Sequence, residues 1–584
     1  MSPRFSTQIV TSIGLSLGAL VVAIGCTNKA QDDISRITAR QTIVQERRDA
    51  VREAFRYLPQ LIRLDRTTAL KEIRYQLMTW ASSVKPSDDW KSPAVLESVS
   101  PSLRSTDFSK RMKSLDFGES ECEYLLQCQM LSEVAKWVLE LPYRDALLRE
   151  WMEQKKKELS AEESLRLEST LKLFDWSIMN VGLVGNPKEV EELSTNPDLP
   201  LSDNGVIYRQ LPWQTMMFAQ GNRWQRCRLF TQLLFTQGID SVVLALPSKT
   251  GAVENASIRP WCVAVPIGDE LYLFEPTWGF PIPSQKDSGI ASLREAKADP
   301  NVLRRAKLPG QFEYPVEQKD LETLVALVDC DPFAVGLAMH TLQKSLTGGN
   351  RIRITMDADQ FEERLLKIDN KLSVRLWNVP WLSYLYNESI RDRLTEQSPF
   401  SIQYMEQFGS YIMETPLSRA RSLHFKGKFQ STIEETGALS SYMSVRVDEQ
   451  TLKELVDDKE LQQEFGIVRG AFETREMFDV RLQLAQKYFR RSKFDVNMFL
   501  ALCNIDNNKP ETAIDWLQKR ILGASGSEKW HSHSHYLLGR MYEQTGQWQS
   551  AAEQYKYEDS AQSAGNRIRL RKLRQLHPEE LGSN

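Results

Sequence analysis

Between Asn222 and Phe274 the spacing of apolar residues changes period twice, which an all-helical chain does not do. Asn222 to Gln237 carries apolar residues at helical spacing and stops at Gly238, a residue suited to the left-handed turn that ends helices. Ser241-Val242-Val243-Leu244-Ala245-Leu246 follows, an apolar run rich in β-branched residues and closed by Pro247. Trp261-Cys262-Val263-Ala264-Val265 reads as another strand. Gly268-Asp269 reverses the chain, and Leu271-Tyr272-Leu273-Phe274 returns as the hairpin partner. A helix, a strand and a hairpin in this order predict an α+β core over residues 205–300.

The flanks have a different pattern. Residues 27–204 read as a helical region: Ala54, Phe55, Leu58, Leu61 and Ile62 recur at spacings of three and four, and Pro86–Pro101 interrupts the pattern as a loop. Residues 301–474 predict a mixed helical region with a small strand-helix-strand unit. There Ile352, Ile354 and Met356 alternate as in a strand, Asp357 caps a helix, and Leu372–Trp377 forms a second strand. Gly348-Gly349 is a turn, since no phosphate-loop motif surrounds it. The expected fold class is multidomain and mainly α with one α+β core. A chain of 584 residues, 41% hydrophobic, has room for about three or four such units.

Residues 475–584 repeat. Leu538, Gly539, Tyr542, Gly546, Trp548, Ala551 and Tyr555 stand at the spacing of a tetratricopeptide repeat, a hairpin of two helices. Small Gly539 and Ala551 allow the helices to cross closely; Tyr542, Trp548 and Tyr555 fill the gaps between hairpins. Leu500, Ala501, Asn508, Ala513 and Leu517 form a weaker copy, and Val480–Phe489 offers a further helix to pack against it. Such stacks present surfaces for a protein or peptide partner.

The N-terminus has a different task. Arg4 precedes an uncharged stretch from Ile9 to Gly25, which ends at Cys26. Ala23-Ile24-Gly25-Cys26 resembles a bacterial lipoprotein signal, with Ala23 where the family usually has Leu. That resemblance makes Cys26 the lipid-attachment residue. An uncleaved anchor helix and plain secretion are the other readings, and each takes the body out of the cytoplasm. Residues 1–26 are thus a signal or membrane anchor, and the expected location is the bacterial cell envelope, with the membrane as an N-terminal partner.

Other chemistry finds little support. A net charge of −3 gives no general attraction for nucleic acid, and the basic run Arg567–Arg574 reads as a solvated helix face. No Cys-x-x-Cys occurs, so zinc and thioredoxin-like sites have no basis and the cysteines read as buried thiols. His531, His533 and His535 read as a helix start rather than a metal site. No cofactor is implied.

One constellation carries a family resemblance. Gly221-Asn222-Arg223 opens the helix, Gly238-Ile239 closes it, Arg259-Pro260-Trp261 opens the strand and Glu275-Pro276-Thr277 ends the hairpin. About 75 residues here resemble the bacterial transglutaminase-like family of the papain-like superfamily. Its signature is Gly-x-Cys, Gly-Ile, His-Ala-Trp and Asp-Pro-Thr. The resemblance places the nucleophile at Arg223, the histidine at Arg259 and the acid at Glu275. A guanidinium is no nucleophile and does not shuttle protons at neutral pH. The first of six histidines is His340, well beyond the segment. The expectation is therefore a non-enzymatic scaffold or protein-binding module, with Arg223, Arg259 and Glu275 as a buried ion cluster. Two alternatives stand beside it: a thiol amidase or peptidase using Cys227, one helical turn past Arg223, and a purely structural envelope component.

Overall fold

The computed structural model describes residues 45–62, 66–184, 210–247, 258–276, 278–284, 289–348, 351–394, 404, 408–411 and 415–582. Cys26 and the N-terminal segment lie outside them. Among the described residues no helix is long and apolar enough to cross a membrane. The molecule is mainly helical around one small sheet.

Two long helices frame the centre. α1 (Glu119–Glu140) starts with Glu121 accepting the Gly118 N–H at 3.0 Å, and α2 (Ala161–Asn180) starts with a capping box between Ser160 and Glu163. After α2 the chain makes a two-residue strand, β1 (Gly182–Leu183), paired in parallel with β2 (Gln220–Gly221). α3 (Arg223–Thr236) follows at once and is buried from Trp224 to Thr236, packed against both α1 and α2. Its apolar residues and its polar ones, Arg226, Arg228, Thr231 and Gln232, are therefore all buried.

The sheet has six strands: β3 (Val242–Pro247), β4 (Ile258–Ile267), β5 (Glu270–Glu275), β6 (Phe280–Pro281), β7 (Val325–Val328) and β8 (Ser373–Leu376), in the order β6-β5-β4-β3-β7-β8. Neighbours are antiparallel except β7 and β8. Gly268, with φ +59°, turns β4 into β5. β3 sits inside with both faces covered, hence its unbroken apolar run. Phe174 of α2, Phe230 of α3 and Phe274 of β5 meet with centroids 5.1–5.6 Å apart and tie the helices to the sheet.

Three expectations change. The sheet reaches Leu376, so a boundary at residue 300 cuts through it. β7 lies where helices alone are expected, because four apolar residues are too short a run to show a period. Residues 352–356 do alternate in burial, with Ile352, Ile354 and Met356 inside, yet they pair with no strand. The Gln343 side chain takes the Ile354 N–H at 2.7 Å and donates to the Ile352 carbonyl at 2.8 Å, and Tyr124 donates to the Ile354 carbonyl at 2.9 Å. The Met356 N–H bonds the Ala334 carbonyl at 3.0 Å, so side chains and one backbone contact satisfy these groups without a ladder.

After β8 come α4 (Asn378–Leu394) and α5 (Pro416–Phe425), in a stretch where the sequence offers no reading. The C-terminal part is built from α6 (Arg475–Asp506), α7 (Pro510–Asp515), α8 (His531–Gln544), α9 (Trp548–Tyr555) and α10 (Ser563–Leu576). Val480–Phe489 is not a separate helix: it is the first half of α6, which runs 32 residues. α6 and α7 form one hairpin, and α8 and α9 the next. A Cβ on Gly539 would lie 2.4 Å from the Tyr555 ring, which explains the glycine. Ala513 and Ala551 are fully buried, and Leu538 packs inside. Gly546 turns the chain at φ +72°. Tyr542 accepts from Gln518 of the preceding hairpin at 2.6 Å, and Trp548 stacks on His577 at 3.8 Å. Tyr555 does not sit between hairpins as expected. It crosses within its own, its hydroxyl 2.7 Å from Glu543.

All six described cysteines are free and buried. Cys122 and Cys128 share α1 and do not bridge each other.

Candidate functional site

Asn222 sets the start of α3. Its Oδ1 accepts from the Trp224 and Gln225 N–H groups at 3.0 and 2.9 Å, while Gln225 Oε1 takes the Asn222 N–H at 2.8 Å. Gly221 lies against this cap, and a Cβ there would come within 3.0 Å of Gln225. Arg223 is thus the first helical residue, where the N–H groups and the macrodipole favour negative charge. Its guanidinium lies over the Trp224 ring at 4.3 Å. The helix start is well formed, and it carries a cation.

Glu275 is buried at the end of β5. Cys262 stands opposite it on β4, one step beyond the Val263–Phe274 pair. Burial first, and then the charge of Glu275, pushes the Cys262 thiol well above its ordinary value. Cys227 lies on α3 with no exposed surface. Burial, then Asp329 and Glu275, holds its thiol protonated well past the ordinary range. A reactive thiol needs the opposite surroundings.

Tyr314 fills this region from a loop well past β6. The ring is buried, its hydroxyl accepts from Trp261 Nε1, and Trp278 packs on it at 4.6 Å. The charges of Glu275 and Arg223 both act on the phenol, whose pKa is raised chiefly by burial. Arg223, Glu275 and Tyr314 therefore share one neighbourhood. Arg259 does not join it as expected: it is partly exposed and donates to the Pro315 carbonyl at 3.2 Å. Trp261 and Arg259 hold two successive residues of one loop, Trp261 the Tyr314 hydroxyl and Arg259 the Pro315 carbonyl. Nothing in the signature points to Tyr314. The only available signal is a buried indole on β4, which requires an acceptor.

The C-terminal helices close the site from outside. Gly279, at φ +62°, lies so close to Gln562 and Ile178 that a Cβ would sit 2.6 Å from each. A Cβ on Gly565 of α10 would lie 2.2 Å from the Trp278 carbonyl oxygen. Arg226 of α3, fully buried, donates to the Pro276 carbonyl at 2.9 Å, to Gln562 at 2.8 Å and to the Val181 carbonyl at 2.7 Å. The basic run of α10 is not a solvated face. Arg567 and Arg571 hold Gln311 and the carbonyls of Arg305 and Lys307, and Arg569 is buried between Asp145 and Glu543.

Three histidines are held in packing contacts. His533 reaches the Met179 carbonyl at 2.9 Å, and His535 reaches Gln554 at 2.8 Å while stacking on Tyr557. His424, fully buried on α5, pairs with Asp506 at 2.9 Å. Among the described residues no group of three His, Cys, Asp or Glu side chains is placed to hold a metal. No family model, curated protein or solved structure matches the chain.

Proposed function

We propose that the chain is a non-enzymatic, membrane-anchored scaffold of the bacterial cell envelope, in which a transglutaminase-like core has become a packing unit. The observation that carries this reading is the content of the old catalytic position. Arg223 occupies the helix start, and Tyr314, wedged between Trp261 and Trp278, occupies the space beside Glu275. Neither an arginine nor a hydrogen-bonded buried tyrosine supplies the thiolate and imidazole that acyl transfer needs. Cys227, the remaining nucleophile candidate, sits in surroundings that keep its thiol neutral.

The C-terminal helices support the scaffold half of the reading. α6 and α8 face α2: Asp506 accepts from Trp176 at 3.3 Å, His533 reaches Met179, and Arg540 pairs with Asp175 at 2.6 Å. That side is occupied in cis, so a protein or peptide partner takes the outer side, where Glu553 and Lys556 of the second hairpin are exposed.

Alkylation of the folded chain with a thiol probe tests the chemistry. The expected result is no labelling that depends on Cys227 until denaturant is added. Labelling of the native chain that disappears in Cys227→Ala would establish the thiol enzyme instead. Photo-crosslinkers at Gln549 and Glu553 test the scaffold: both positions should capture the same protein from membranes, and capture by neither would leave only a structural component.

A further inference from the structure

α6 carries two apolar stripes, and the fold uses one. Phe478, Leu482 and Phe489 are buried against the helices that precede α6. Met477, Val480 and Leu484 fall on roughly the opposite face at about 100° per residue, and each is more than half exposed. A soluble surface helix keeps polar residues there.

The turn before the helix continues this face. Phe472 is fully exposed and Val468 more than half exposed. They are held outward by a built support. Arg481 donates to the Val468 carbonyl at 2.8 Å and to both Glu473 oxygens at 2.9 and 2.8 Å. Glu473 in turn accepts the Gly470 N–H at 3.0 Å, and Arg469 donates to the Glu473 carbonyl at 2.9 Å. Ion-paired side chains thus fix a turn whose most prominent group is a bare phenyl ring. Five of the fourteen large apolar side chains exposed among the described residues lie between Val468 and Leu484, too dense a cluster for scattered exposure.

The charge around them reverses the sign of the whole. Residues 466–494 hold seven basic and three acidic side chains in a chain of net charge −3. Lys487 and Arg491 fall on the same side of α6 as Val480 and Leu484. Exposed bulky apolar groups with a basic surround match the boundary between headgroups and acyl chains of an anionic bilayer.

We infer that Val468–Arg491 docks on an anionic lipid surface, with Phe472, Met477, Val480 and Leu484 entering the interface and the flanking lysine and arginines meeting the headgroups. The inference rests on the envelope reading for the presence of a bilayer, and it adds a second membrane contact far from the N-terminus in sequence. That contact would orient the body against the membrane rather than leave it on a tether.

The test uses the full chain with Val480→Cys carrying an environment-sensitive fluorophore. The six described cysteines are buried, and the parent chain gives the background. Vesicles of equimolar phosphatidylglycerol and phosphatidylcholine should shift the emission to the blue and reduce acrylamide quenching. Pure phosphatidylcholine, or anionic vesicles in high salt, should not. The same label at Leu165→Cys, exposed on α2, should not respond. A vesicle-bound chain with no shift at position 480 would overturn the inference and leave the anchored scaffold standing. Equal shifts on neutral vesicles would overturn it, and so would a shift that grows with protein concentration without vesicles, which would assign the face to a second copy. Failure of the N-terminus to hold the chain on neutral vesicles, with the anionic response intact, would break the anchor reading alone.

Discussion

Arg226 and Arg228 leave the same helix two residues apart, and both are fully buried. They point to nearly opposite sides, since two helical steps turn about 200°. Arg228 faces the end of β7, where Asp329 meets its Nε at 3.1 Å and Asp331 its Nη2 at 2.5 Å. Arg226 faces the Glu275-Pro276 turn and the C-terminal helices, and all its acceptors are neutral oxygens. Burial works against both charges. For Arg228 the two aspartates outweigh it and raise the pKa; for Arg226 nothing does, and the guanidinium is pushed down to about 9. One face of α3 is locked to the sheet by compensated charge. The other is joined to the C-terminal helices by dipoles and shape.

The largest effect should come from breaking the compensated side. Arg228→Met strands two buried carboxylates and should cost about 3–5 kcal/mol, read from the urea midpoint. Asp331→Asn sharpens the same face through pH. Burial first, opposed by Arg228 and reinforced by Asp329, raises Asp331 from 3.8 to about 6. The folded state then holds a proton that the unfolded chain releases, so this group's contribution falls as pH rises from about 4 to about 6. The loss is at most about 3 kcal/mol, and the asparagine variant should lack that slope in pH-dependent urea melts. On the other face, Gly565→Ala drives a methyl group into the Trp278 carbonyl and should cost about 1–3 kcal/mol, with faster amide exchange over residues 275–281. Arg226→Met removes three bonds and a buried charge together. Its net cost should be about 1 kcal/mol; a loss equal to that of Arg228→Met would erase the distinction between the faces.

The sequence made α3 and the β4–β5 hairpin legible because their signals are local: a cap at Asn222, a stop at Gly238, a turn at Gly268. The surroundings of Glu275 are not legible in this way. Tyr314 comes from a distant loop, and its contact with Trp261 has no periodicity. β7 was too short to show a period, and residues 352–356 showed the period of a strand without having a strand beside them. Arg569 sat in a basic run that looked solvated, because burial of an arginine is visible only once its carboxylates are placed. Motif register alone places Arg259 beside Glu275, and the local path of the chain takes it to Pro315 instead.

The pairing of Arg569 with Asp145 spans 424 residues of sequence. At common synthesis rates of about 5–20 residues per second, Asp145 is made on the order of 20–80 s before its partner. Until the C-terminal helices are made, the start of helix Ala146–Lys156 presents a carboxylate destined for burial, which accepts the Leu147 N–H at 3.0 Å and later faces Arg540 at 4.0 Å as well as Arg569. The buried charge of the first half is therefore fully compensated only once α10 is in place. A chain that ends before Arg569 would have all six described strands of the sheet and still lack its closing ion pair.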